Sequence, residues 1–105
     1  MEDEALSRMS LSEISVAIAK RKVSSQEVVR NSLDQLEKRG PSLNCLARLF
    51  PEQALAEAEL ADQELSSGNV RGPLHGVPLT HKDMFYSAGK ITACGSKICE
   101  DYVPD

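Results

Sequence analysis

The residues able to do chemistry crowd into one stretch, Gly72 to Ser96, which reads GPLHGVPLTHKDMFYSAGKITACGS. A cation stands beside an anion at Lys82-Asp83, with His75 and His81 before the pair and Cys94 and Ser96 after it. By spacing alone such a pair reads as a surface ion pair, which is worth little. A lysine becomes a useful base only if its pKa falls from about 10.4 to roughly 7–8. Burial does this, because the charged form loses its water. His81 precedes the lysine, and on a strand its side chain would point to the opposite face, so a structural role suits it better than a catalytic one. Cys94 and Cys99 lack the C-x-x-C spacing. A metal site with His75 and His81 is the weaker reading beside buried or incidental thiols.

Gly72, Pro73, Leu74, Gly76, Val77, Pro78, Lys82 and Asp83 stand in one order and spacing, followed by Ala88, Gly89, Thr92, Gly95 and Ser96. This set resembles the amidase signature family, whose members carry a pattern close to G-P-L-x-G-V-P-x-x-x-K-D, then A-G, T and G-S. The run His81 to Tyr86, HKDMFY, is similar to bacterial amidases and to the related amidotransferase A subunits.

The resemblance implies hydrolysis of a carboxylic amide C–N bond in a small-molecule substrate, with no cofactor and no metal. It gives Lys82 the role of base in a Ser–cis-Ser–Lys triad, taking a proton from a bridging serine that activates the nucleophilic one. Backbone N–H groups would hold the oxyanion. The family's two serines sit in a Gly/Ser-rich segment well C-terminal to the K-D step. The adjacent serines here, Ser24-Ser25 and Ser66-Ser67, both precede Lys82. Ser96 belongs to the family pattern but not at the nucleophile position. The expectation is therefore an N-terminal piece of an amidase, inactive by itself. The alternatives are a piece of a glutaminase-type A subunit of a tRNA-dependent amidotransferase, or a non-catalytic docking module that self-associates or joins a complementing chain.

Bulk properties set bounds. A chain of 105 residues is one small domain or part of one. Its apolar fraction is 41%, with two Phe, two Tyr and no Trp, so large core fillers are scarce. The net charge of -4 argues against direct nucleic-acid binding or an anionic membrane surface. No apolar run approaches the ~20 residues of a membrane span. The start, Glu2-Asp3-Glu4, is acidic and lacks the basic and apolar regions of a secretory signal. A cytoplasmic location is the default, and three cysteines suit free thiols in a reducing compartment.

Several elements must position the Lys82 stretch. Residues 1–9 read as a frayed leader. Ser10 and Glu13 form a capping box, and Leu11, Ile14, Ala17 and Ile18 follow helical spacing, with Lys20, Arg21 and Lys22 closing the helix. Ser24 and Glu27 form a second box before Val28, Val29, Leu33 and Leu36, and Gly40-Pro41 is expected to end that helix. Leu43–Phe50 reads as a short strand. Pro51 opens a third helix, which carries Ala54, Leu55, Ala58, Ala61, Asp62 and Leu65 at i, i+3/i+4 spacing, its small Ala residues allowing close approach to a neighbour, and stops at Ser66–Asn69. Val77–Thr80 reads as another short strand, and Asp105 as an N-cap. By the family's pattern the fold class is α/β, the N-terminal portion of the amidase-signature fold with helices packed on a mixed sheet, incomplete in this chain. Residues 1–41 would be a helical hairpin and 42–105 the start of the catalytic α/β core.

Overall fold

A computed structural model describes residues 2–105. Four α-helices follow one another: α1 (Asp3–Arg8), α2 (Leu11–Ala19), α3 (Ser25–Leu43) and α4 (Pro51–Ser66). The chain then runs irregularly, apart from one 3-10 turn at Lys97–Cys99. The longest helix, α3, packs against both α1 and α4.

Both capping boxes form. Ser10 Oγ accepts from the Glu13 N–H at 3.3 Å, and the Glu13 carboxylate accepts from the Ser10 N–H at 2.7 Å. Ser24 and Glu27 repeat the exchange at 3.1 and 2.8 Å. Each box satisfies two of the N–H groups that a helix start leaves orphaned. Pro51 sits at the start of α4, where its missing N–H costs nothing. At the other end the Arg21 guanidinium donates to Leu65 O at 2.8 Å, placing a cation where the helix dipole is negative.

The core is small. Leu6, Ala17, Ile18, Val23 and Val28 are buried together, with Met9, Ile14, Leu65 and Val77 packed against them. Ile18 is the most deeply buried large side chain, a burial that contributes about 1.5–3 kcal/mol. Leu6 belongs to this cluster, so residues 3–8 form a docked helix rather than a frayed leader. Asn31 of α3 is buried, and both ends of its amide are used: Nδ2 donates to Asp3 O at 2.9 Å, and Oδ1 accepts from Ser7 Oγ at 3.1 Å.

The α/β expectation is overturned. Among the described residues there is no strand and therefore no sheet; the fold is helical. Leu43–Phe50 begins as the last residue of α3, turns at Asn44 (φ 50°, left-handed) and continues irregularly. Val77–Thr80 is irregular backbone, and its main-chain bond, Val77 N–H to Leu74 O at 3.0 Å, closes a turn and not a ladder. A strand needs a hydrogen-bonding neighbour as well as an apolar pattern, and neither segment has one among the described residues. The helix stop at Gly40-Pro41 is also displaced, since α3 runs through both to Leu43. Gly40 is buried, and a Cβ there would meet Leu46 Cδ1 at 2.6 Å, so it serves close packing.

One junction ties these parts together. Ser25, at the start of α3, is 1% exposed. Its N–H donates to Asp62 Oδ1 of α4 at 2.7 Å, and the next N–H, of Gln26, donates to Asp62 Oδ2 at 3.1 Å. Its hydroxyl donates to Gly76 O at 2.6 Å. Gly76 has φ +75°, and a Cβ there would lie 3.0 Å from Ser25 Cβ. Gly76→Ala is therefore expected to lose about 1–2 kcal/mol to the left-handed backbone, with the clash added. Thermal unfolding followed by circular dichroism checks this, and an unchanged midpoint would contradict it.

Candidate functional site

The Gly72–Ser96 loop leaves α4 through a set of side-chain clamps. Arg71 grips Glu64 of α4 with two bonds, Nε to Oε2 at 2.8 Å and Nη2 to Oε1 at 2.5 Å. This holds the Glu64 carboxyl below its ordinary pKa. His75 Nδ1 accepts from the Arg71 N–H at 3.1 Å, which leaves Nε2 as the protonated nitrogen facing Ala61 O at 2.7 Å. His75 is thus a structural staple between loop and helix. Just after it, Gly76 locks onto Ser25.

Lys82 and Asp83 have opposite environments. The Lys82 side chain is exposed, while its carbonyl accepts from the N–H groups of Met84 at 2.7 Å and Phe85 at 3.2 Å. The burial that a base lysine requires is not supplied by the described residues. Asp83 is held from several sides. Arg48 Nη2 donates to Oδ1 in an ion pair, and the Ala93 N–H donates to the same oxygen at 3.3 Å. The main-chain oxygen of Asp83 accepts from the Cys94 N–H at 2.9 Å. Asp83 thereby joins two turns of the loop to the segment between α3 and α4. The Arg48 hydrogen bond is the main cause of the lowered Asp83 pKa, and the Ala93 N–H adds to it.

The remaining candidates scatter. His81 is exposed and stacks on Phe85 with ring centroids 5.9 Å apart; it does not lie on a strand. Cys45, Cys94 and Cys99 are free thiols, and no cluster of metal-ligand side chains occurs among the described residues. Ser96 accepts from the Ile98 N–H at 3.3 Å and caps the 3-10 turn. Ser25 belongs to the junction with Gly76, and Ser66 and Ser67 donate back to carbonyls of α4 at 2.9 and 3.1 Å. Thr92, a member of the G-P-L…G-S pattern, is buried at 2% exposure, and its N–H donates to Tyr102 O at 2.8 Å. Sequence reasoning gave Arg48 no role and placed Asp62 only among the helically spaced positions of α4. The local pattern names a partner for neither, because the partners lie 35 and 36–37 residues away.

Comparison with known proteins places the chain. The family model described as Amidase matches residues 27–105. The chain belongs to the amidase family. It is 44% identical over 94 residues to the glutamyl-tRNA(Gln) amidotransferase A subunit of Azoarcus, covering 90% of this chain and 19% of that protein. It is 42% identical over 94 residues to the corresponding protein of Thiobacillus denitrificans, covering 90% and 19%. It is 36% identical over 104 residues to a Mycobacterium tuberculosis protein assigned by name to the amidases, AmiD, covering 99% and 22%. The chain spans about a fifth of the length of these curated relatives. No solved structure gives a significant match. Among the described residues no helix is long and apolar enough to cross a membrane.

The lowered Asp83 pKa has a signed consequence. The unfolded chain takes up a proton at this carboxyl more readily than the folded chain does. The stability it contributes is present above the ordinary Asp value of about 3.9 and is lost as pH falls through the lower folded value. An NMR titration of the Ala93 amide should therefore inflect below about 3.9 on acidification. An inflection at or above that value would contradict the pairing with Arg48.

Proposed function

We propose that this chain supplies the base of an amide-hydrolysing site, with Lys82 as the lysine of a Ser–cis-Ser–Lys triad whose serines come from sequence other than these 105 residues. The observation that carries the reading is the K-D step at Lys82-Asp83, placed at the end of the Gly72–Pro78 pattern and inside the region that matches the family. In this reading the neutral Lys82 amine takes a proton from a bridging serine, which takes one from the nucleophilic serine. The serine Oγ attacks the amide carbon, the C–N bond breaks, and the proton passes to the departing amine or ammonia. Water then releases the acid from the acyl-enzyme.

The geometry suits this division of labour. Asp83 is fixed by Arg48, Ala93 and Cys94, while the Lys82 side chain makes no ion pair among the described residues. A sequence segment that covered Lys82 would take its amine out of water, and desolvation disfavours the charged form of a base. The chain after α3 then forms the start of the catalytic core, and the three helices α1 to α3 flank it. The site works in the cytoplasm, where free thiols stay reduced.

Similarity to amidotransferase A subunits at 42–44% identity favours a second reading, in which the amide is glutamine and the released ammonia serves a partner subunit. In either case the 105-residue chain is inactive by itself. It presents apolar side chains such as Ile98 (96% exposed) and Leu79 (75% exposed) to another copy or to a complementing chain.

Ammonia release from short carboxylic amides and from glutamine, measured on the native-length gene product, tests the reading. Lys82→Ala is expected to lower kcat on the order of 10²–10⁴-fold, and glutamine preference separates the two substrates. Full activity of that variant, or turnover by residues 1–105 alone, would contradict the assignment.

A further inference from the structure

One cation outside the family pattern bears directly on this site. Arg48 lies between α3 and α4, 35 residues before Asp83, and its guanidinium is the strongest partner of the Asp83 carboxylate. The two side chains are 29% and 26% exposed, so the pair is shielded more than an ordinary surface bridge, and a charged hydrogen bond counts for more there. Asp83 shares a peptide unit with Lys82 and receives two further backbone N–H bonds, from Ala93 and Cys94. The bond from Ala93 to the carboxylate is the longer of these two, at 3.3 Å against 2.9 Å for the Cys94 bond to the main-chain oxygen.

Resting on the reading of Lys82 as base, we propose that Arg48 is the positioning residue for that lysine. Its bond to Asp83 fixes the backbone from which the Lys82 side chain extends. The Lys82 carbonyl is already committed to the N–H groups of Met84 and Phe85. With Arg48 in place, both flanks of the peptide unit are held, and the amine explores only its own side-chain rotamers. Without Arg48, a partly buried carboxylate loses its counter-ion and turns toward water. The Lys82–Asp83 unit and the Ala93–Cys94 turn then move with it. A displacement of about 1 Å in a catalytic group can cost on the order of 10²-fold in rate.

Two measurements test this. In residues 1–105, Arg48→Met should speed hydrogen exchange at the Ala93 and Cys94 amides by about tenfold or more, since a hydrogen bond to a charged group is lost. Arg48→Lys should retain most of the protection. Unchanged exchange in Arg48→Met would overturn the proposal. In the native-length gene product, Arg48→Met should lower kcat on the order of 10²-fold with KM nearly unchanged, and Arg48→Lys should recover most of the loss. An unaltered kcat beside an inactive Lys82→Ala variant would overturn the positioning role alone. An active Lys82→Ala variant would instead remove the base assignment on which it rests, so the two failures are told apart.

Discussion

The structure depends on what happens at the buried start of α3. There the Ser25 hydroxyl reaches Gly76 O, while Asp62 accepts the Ser25 and Gln26 N–H groups. Three parts of the chain, which also meet in the small core through Val28, Leu65 and Val77, are joined at one polar point. A helix start offers unpaired N–H groups and a positive end, and Asp62 answers both needs from a neighbouring helix. Because Ser25 is almost fully buried, leaving any of these groups unpaired would carry a desolvation cost of about 1–3 kcal/mol. The core beside it is small, so this polar junction has a large share in fixing where the loop leaves the helices.

From that junction the order of the loop can be followed residue by residue. Gly76 is held against Ser25, His75 against Ala61, and Arg71 against Glu64. Seven residues further on, Asp83 is pinned by Arg48 and two backbone N–H groups. Lys82 is the exposed position beside this fixed one. Under the proposed role of Lys82 as base, its neighbour's backbone is held while its amine is left free to meet groups brought from elsewhere. The missing ingredient is burial. The amine keeps its water in this structure, and proton abstraction near neutral pH requires that water to be removed.

Much of the helical part was legible in the sequence. Ser10/Glu13 and Ser24/Glu27 marked two helix starts, and Pro51 marked a third, because capping and the missing proline N–H are local physics. What depended on distant partners was not legible. Leu6 looked like part of a loose leader because its burial against Ile18 and Val28 comes from tertiary packing. Gly40-Pro41 looked like a stop, whereas the helix ends at Asn44, whose left-handed backbone closes it, and Gly40 serves contact with Leu46. The two apolar runs read as strands failed for the same reason: extended residues without a ladder partner are loops. The pattern from Gly72 to Ser96 pointed to the family, whose model covers it. It could not reveal Arg48 or Asp62, whose roles are set by contacts across 35 residues and more.

The claim that one polar junction sets the loop before Lys82 is tested most directly by hydrogen exchange on Asp62→Ala. The account predicts faster exchange at the Ser25 and Gln26 amides, together with faster exchange at Val77, whose N–H closes the turn onto Leu74 O at 3.0 Å, and a lower unfolding midpoint. If Ser25 and Gln26 lose protection while Val77 and the midpoint stay as they were, helix and loop are held independently, and the account is wrong.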